Sequence, residues 1–295
     1  MDRGPVPIRT LTGWLAVFAS AFFFYMATVI IRWSRSEVRI DPAYFVFGRF
    51  ALGFCIVALS LVIQKRSLRA NRYGLLLGRT LGNTLAVFCF YKAVEVTTVA
   101  NANILNMTYP IFVALIAWVF LSDQRDGVAL VMVPVAFAGI WLIVAPASMR
   151  WDWNNAWGLA SGVSASVAIV YLNLCRRYDT AETTLFYMFG WGAVAIYLMF
   201  HKVIFWPNAT EFFYLLICSL FGVGGQYLLT YGFRFVTAVE GSIITSSRIL
   251  LAAILGPSMV ADPALTLWGW AGAVLIFAAN VILAARRTRA GVAKK

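Results

Sequence analysis

The chain is poor in the residues that carry out chemistry and in the residues that meet water. Its 295 positions hold one histidine, His201, with twelve acidic residues and four cysteines. A lone histidine, placed at a predicted helix end, excludes a His-based triad and a multi-histidine metal site. No P-loop, dinucleotide-binding glycine motif or HExxH pattern occurs, which excludes ATP as a directly hydrolysed energy source. No catalytic residue, metal or cofactor is therefore assigned. Cys55, Cys89, Cys175 and Cys218 fall within or beside apolar runs and lack metal-ligand or disulfide-framework spacing, so they read as small buried hydrophobes. Only 12% of residues are charged, about half the fraction of a soluble domain. A water-soluble globule is excluded.

What the chain has instead is apolar length. Hydrophobic residues make up 62% of it, enough for ten helices of roughly 20 residues with short connections. Apolar runs place the spans at 11–31, 42–63, 74–93, 98–121 and 127–146, then 154–175, 181–200, 212–233, 238–260 and 266–285. The first run is too long for a signal peptide and lacks a cleavage site, so it reads as a retained span. The net charge of +12 does not mark a nucleic-acid surface. With the N-terminus inside, 15 of the 24 Lys and Arg fall on the inner side and five on the outer side. The other four, Arg49, Arg79, Lys92 and Arg248, lie within spans. That asymmetry predicts both termini in the cytoplasm.

The two halves repeat each other. Gly82, Tyr91, Val96, Thr97, Val99 and Ile104 recur 140 residues on as Gly222, Tyr231, Val236, Thr237, Val239 and Ile244. Leu15, Ala16, Ser20, Ala21 and Arg32 recur 144 residues on as Leu159, Ala160, Ser164, Ala165 and Arg176. Units 1–150 and 151–295 follow, each of five spans. Five is odd, so the second copy enters the bilayer from the opposite side. Inverted repeats of this kind place a substrate site at mid-membrane between the copies. The expected fold is an all-α membrane protein of ten helices around a central cavity. Gly78, Gly82, Gly158, Gly162 and Gly222 to Gly225 read as close helix packing, or alternatively as room for a ligand.

Polar residues inside spans are costly unless they face protein or water. Pro110 sits mid-span and removes the donor for the carbonyl of Asn106. Asn103 and Asn106 share its face, whereas Asn101 and Thr108 lie on another. In the matching ninth span, Arg248 lies about 15 Å along the helix, near the bilayer centre, with Ser242 and Ser246 in the preceding turns. It either attracts a substrate carboxylate or bridges to backbone carbonyls or Glu240. Arg49 is assigned a structural or gating role, whereas Arg79 and Lys92 are expected to snorkel to the interfaces. Asn83, Thr84, Asn173, Gln226 and Tyr227 complete the polar candidates. Tyr91 and Tyr231 lie near span ends and read as interfacial belt residues.

Arg49-Phe50, Tyr91, Ala93, Thr97, Ala100, Ala102, Leu105 and Pro110, closed by Ala114, Leu115, Leu121 and Asp123, resemble the ten-span, two-repeat branch of the drug/metabolite transporter superfamily, the EamA-like permeases. The second repeat departs from the pattern, with Leu250 at the position matching Pro110 and Asp262-Pro263 in place of the usual acidic turn. Within the superfamily the chain looks most like bacterial aromatic amino-acid exporters. The resemblance implies a multi-pass transporter of the bacterial inner membrane that moves amino acids, aromatic and other neutral ones, outward. It is read as a monomer whose partners are its small-molecule substrate and membrane lipid. The substrate-binding candidates are Asn83, Phe90, Asn103, Asn106, Met107, Gln226, Tyr227, Ser242, Ser246 and Arg248. Arg49, Pro110 and Glu240 are the gating or structural ones. The expected mechanism is alternating access by facilitated diffusion or weak coupling. Proton-coupled drug or metabolite efflux through Glu240, or lipid flipping, is the alternative on the same fold.

Overall fold

A computed structural model describes residues 8–65, 68–120, 127–144, 152–175, 178–232, 235 and 238–292. Among these the regular structure is entirely helical. The α-helices are α1 (Ile8–Glu37), α2 (Pro42–Ile63), α3 (Tyr73–Val96), α4 (Val99–Asn106), α5 (Tyr109–Phe120), α6 (Gly127–Val144), α7 (Ala156–Cys175), α8 (Ala181–Phe200), α9 (Ala209–Gly232), α10 (Ala238–Val260) and α11 (Leu267–Val292). Among the described residues five stretches are long and apolar enough to cross a membrane: Leu11–Glu37, Pro42–Ile63, Trp153–Leu172, Ala181–Val203 and Ala209–Leu229. Helix α3 is long enough but carries Arg79, Lys92 and Glu95, which dilute its hydropathy.

The fourth apolar run is two helices rather than the single span expected over 98–121. Pro110 occupies the first turn of α5, where its missing N–H costs nothing. Helix α4 ends at Asn106, so the carbonyl that a continuous helix would leave unpaired sits at a helix terminus. The Thr108 hydroxyl folds back to the carbonyl of Leu105 at 2.6 Å. The carbonyl of Met107 accepts from Asn280 Nδ2 of α11 at 2.9 Å. The break is thereby hydrogen-bonded to protein on both sides.

Helix pairing crosses the two halves. Helix α3 packs chiefly on α7, α1 on α9, α2 on α8 and α6 on α11, with α4 against α10. Replacing each span by its repeat mate exchanges the first two pairs and leaves the others unchanged. One serine hydroxyl stitches each of the exchanged pairs: Ser20 to the carbonyl of Gly225 at 2.8 Å, and Ser161 to that of Ala86 at 3.0 Å. Glycine allows the approach. A Cβ on Gly82 would lie 3.0 Å from the backbone nitrogen of Ala168, and one on Gly162 would lie 2.6 Å from Thr108 Oγ1. Gly158 abuts Leu105 in the same way, which favours the close-packing reading of these glycines. Gly222 instead leaves space for the aliphatic stem of Arg49, 2.8 Å from where its Cβ would be.

Of the four cysteines, Cys89, Cys175 and Cys218 are buried as expected, but Cys55 is exposed on α2. Helix α1 runs six residues beyond the predicted span, to Glu37. Arg32 and Arg35 therefore stand on a helix and not in a loop, which lets them reach across the bundle end.

Candidate functional site

A cavity of about 140 Å³ lies between the halves. Its lining comes from α1 (Phe24), α2 (Arg49), α3 (Arg79 to Tyr91), the α4–α5 break (Asn106, Met107, Tyr109), α7 (Ala165 to Leu172), α9 (Gln226, Leu229) and α10 (Thr245, Arg248). Along α3 the lining runs from Arg79 to Tyr91, thirteen residues, or about 18 Å of helix.

Three arginines dominate the walls. Arg49, Arg79 and Arg248 are 5%, 4% and 5% exposed. Arg248 donates through Nη2 to Asn106 Oδ1, and Asn106 Nδ2 donates to Ser161 Oγ at 2.5 Å. This ties α10 of the second half to α4 of the first and to α7. Arg49 Nη1 donates to the Tyr91 hydroxyl at 3.3 Å. The guanidiniums of Arg49 and Arg248 stand over the same Phe24 ring, at 5.3 and 5.8 Å from its centroid, so at most about 11 Å separates them. Arg248 also lies 5.1 Å over the ring of Phe90. Ring faces attract a cation without neutralising it. The Nε of each arginine and Nδ2 of Asn83 are buried without a partner among the described residues. No carboxylate is among the described cavity-lining residues.

The predicted site residues divide. Asn83, Phe90, Asn106, Met107, Gln226 and Arg248 line the cavity together, and Arg49 joins them. Asn103 does not: its Nδ2 bonds Thr28 Oγ1 at 3.2 Å and the Val99 carbonyl at 2.8 Å. One turn of α4 thus turns Asn106 to the cavity and Asn103 to α1. Ser246 accepts from Asn280 at 3.4 Å, away from the lining, and Tyr227 packs against the α1–α2–α9 core. The side chains of Glu240, Ser242 and Asn173 lie outside the described residues. Thr84 is buried, and its hydroxyl faces Gly192 of α8.

Two expectations are overturned. Arg79 does not snorkel to an interface but is buried in the cavity wall, because the glycine face of α3 around Gly78 and Gly82 draws α7 close on either side. Tyr91 is no belt residue. It is fully buried, held by Arg49 and 3.9 Å from Cys218 Sγ. Its repeat mate Tyr231 is exposed, so sequence symmetry is not carried into the site at this position. Sequence reasoning missed Phe24, Tyr109, Thr245 and the α7 lining. Nothing distinguishes them from packing residues before the helices are assembled.

The end of the bundle carrying the α1–α2 connection is tied shut. Asp262 Oδ1 accepts from Arg32 Nη2 at 2.8 Å, and Oδ2 accepts from the backbone N–H of Val99 at 2.5 Å. Arg32 Nη1 also donates to the Thr97 carbonyl at 3.2 Å, Arg35 donates to that of Glu95, and Trp33 Nε1 donates to that of Met259 at 2.7 Å. At the other end the lining reaches Arg79, Leu172, Leu229 and Thr245. There Asn71, just before α3, donates from its backbone N–H to Asp179 Oδ1 at 2.7 Å and from Nδ2 to the Tyr178 carbonyl at 2.6 Å, which ties the α2–α3 connection to the α7–α8 connection beside the packed pair α3 and α7.

Two helical halves joined around a charged cavity, closed at one end, define a membrane carrier. The EamA-like transporter family model matches residues 11–145 and again 153–285, and the chain belongs to that family. It is a multi-pass membrane transporter. The chain is 29% identical over 284 residues to the pseudopaline exporter CntI of Pseudomonas aeruginosa, covering 94% of this chain and 96% of that one. It is 21% identical over 287 residues to solute carrier family 35 member G1 of Homo sapiens, covering 91% and 77%. A solved crystal structure shares the fold with a TM-score of 0.64 at 15% identity, covering 95% of this chain and 98% of that one.

Proposed function

We propose that the protein exports amino acids across a bacterial inner membrane by alternating access, without obligatory proton coupling. The observation that carries this reading is the Asn106–Arg248 pair, a fixed guanidinium on a cavity wall to which both halves contribute. A carboxylate approaching Arg248 meets a donor that is already oriented and largely desolvated, so the charge-assisted bond it forms is strong. Asn83 and Gln226 supply polar contacts for the ammonium and backbone, while Phe24, Phe90 and Tyr109 give apolar surface to an aromatic or aliphatic side chain.

The ten-span, inverted arrangement with both termini cytoplasmic is part of this proposal. The crosswise helix pairing supports it, as does the excess of basic residues on the connections assigned to the inner side. In that orientation the Arg32–Asp262 ties seal the outer end and the cavity faces the cytoplasm. The carrier is then in the state that loads an exported substrate. The bacterial exporter among the similar proteins supports the outward direction and the inner-membrane location.

Coupling through an embedded acid would rest on Glu240, since the described lining residues hold no carboxylate. Counterflow in liposomes tests the reading. Trapped unlabelled phenylalanine or glutamate is expected to drive uptake of the same labelled amino acid with no pH gradient. Uptake that requires an imposed pH gradient overturns the uncoupled mechanism, and no exchange by any amino acid overturns the substrate class.

A further inference from the structure

Resting on that reading of the cavity as the substrate site, we infer that the preferred substrate carries at least two negatively charged groups and leaves the cell driven by the membrane potential. The inference starts from the charge carried by the walls. Arg49, Arg79 and Arg248 are each more than nine-tenths buried on the lining, and among the described lining residues no carboxylate stands to neutralise them. A guanidinium stays protonated and carries five N–H donors. Among the described residues Arg49 gives one of these to Tyr91 and Arg248 one to Asn106, both neutral acceptors. Neutral acceptors and ring faces hold these side chains in place but leave their charge uncompensated.

A single-carboxylate zwitterion binds such a cavity but satisfies only part of it. It brings one negative group to three cations, and its ammonium adds a fourth positive charge to the cavity. A substrate with two or more carboxylates, or a carboxylate and a phosphate, supplies the missing counter-charge. One anionic group sits between Arg49 and Arg248, which flank Phe24 and lie no more than about 11 Å apart. A second meets Arg79 or the other member of the pair.

The same charge provides the driving force. An inside-negative potential of 100 mV favours exit of each net negative charge by about fiftyfold in concentration ratio. An anion therefore leaves the cell without a proton-coupling carboxylate, in keeping with described lining residues that include none.

The test uses purified full-length protein in liposomes and a series on one carbon skeleton: L-glutamine, L-glutamate and L-γ-carboxyglutamate, with net charges near zero, minus one and minus two. O-phospho-L-serine adds a phosphate arm. Exchange rates at equal low concentration are expected to rise along the series by about tenfold per added anionic group, the size of one charge-assisted bond. Net efflux of γ-carboxyglutamate is expected to accelerate when a potassium gradient with valinomycin makes the lumen negative, while that of glutamine does not. A phosphoserine rate above that of γ-carboxyglutamate supports the anion requirement and assigns the second group as phosphate.

Arg79→Gln is expected to collapse the ratio of γ-carboxyglutamate to glutamine exchange by about tenfold, and Arg79→Lys to restore most of it. Should Arg79→Gln fail to fold, the rank order and the potential dependence of the unmodified protein decide alone. Equal exchange of glutamine and γ-carboxyglutamate overturns the inference while leaving amino-acid export standing. Efflux of γ-carboxyglutamate that ignores the potential overturns the driving force. If no member of the series exchanges while phenylalanine does, the inference falls alone; if phenylalanine fails as well, the proposed function falls with it.

Discussion

Asp262 and Arg32, 230 residues apart, meet at 2.8 Å across the joint between the first and second halves. The Asp262 side chain is 1% exposed and its other oxygen accepts from the N–H of Val99 at the start of α4. One carboxylate thus joins three elements: the end of α1, the start of α4 and the α10–α11 link. Asp262→Asn keeps an acceptor for Val99 but removes the charge that holds Arg32. The expected cost is about 1–2 kcal/mol, read as a lower denaturation temperature in detergent. Combining it with Arg32→Gln should cost less than the sum of the single changes, as for two partners of one interaction. Additive losses would mean that the pair does not act as a unit.

The α6–α11 crossing is set by backbone touching backbone. A Cβ on Gly272 would lie 2.4 Å from the carbonyl oxygen of Gly139, and one on Gly139 would lie 2.8 Å from that of Gly272. Neither backbone can yield without moving a helix. Gly272→Ala should therefore destabilise by about 1–3 kcal/mol, the cost of overpacking a tight interface. Gly74→Ala is the control, because nothing lies within 4 Å of its Cβ position on α3. There the loss of backbone freedom in the unfolded chain should stabilise by about 0.5–1 kcal/mol. Thermal denaturation of the two variants side by side checks both signs.

The helical architecture was legible because apolar periodicity and length are properties of the chain itself. The α4–α5 break was partly legible through Pro110, which marks where a donor is missing. Which polar residues face the cavity was less so. Asn103 and Asn106 share a helix face by spacing, yet one bonds Thr28 and the other Arg248. Their partners come from α1 and α10, and nothing in the local sequence says which helix will lie there. Arg79 and Tyr91 were misjudged for a related reason. Position near a span end suggests an interface, but the close approach of α7 and α9 buries those ends. The Asp262 contact had a signal in the unusual Asp262-Pro263 turn, though not in its partner.

Topology is open to direct labelling. Trp206, between α8 and α9, is almost fully exposed, and Gln64 caps α2 at the opposite end of the bundle. In a Cys55→Ser background, which removes the exposed native cysteine, Trp206→Cys should react with a membrane-impermeant maleimide on intact cells. Gln64→Cys should react only after the membrane is opened. The reverse pattern would place the basic connections outside and invert the carrier.

Asn106 offers the sharpest separation of ligand chemistry from folding. It accepts from Arg248 and donates to Ser161, whose hydroxyl in turn donates to the carbonyl of Ala86. Asn106→Asp is nearly isosteric. It keeps an acceptor for Arg248, and the Ser161 hydroxyl can turn to donate to the new carboxylate, giving up its bond to the Ala86 carbonyl while the contacts of α4 with α10 and α7 survive. What changes is charge, since Arg248 acquires a resident counter-ion and a substrate carboxylate must now compete with it. The expected result is a folded protein whose apparent KM for glutamate in counterflow rises by about ten- to a hundredfold, or about 1.4–2.7 kcal/mol. A cationic amino acid such as lysine should become a better competitor in the same assay. An unchanged KM with unchanged stability would remove Arg248 from the substrate path and leave it a strut between α4 and α10.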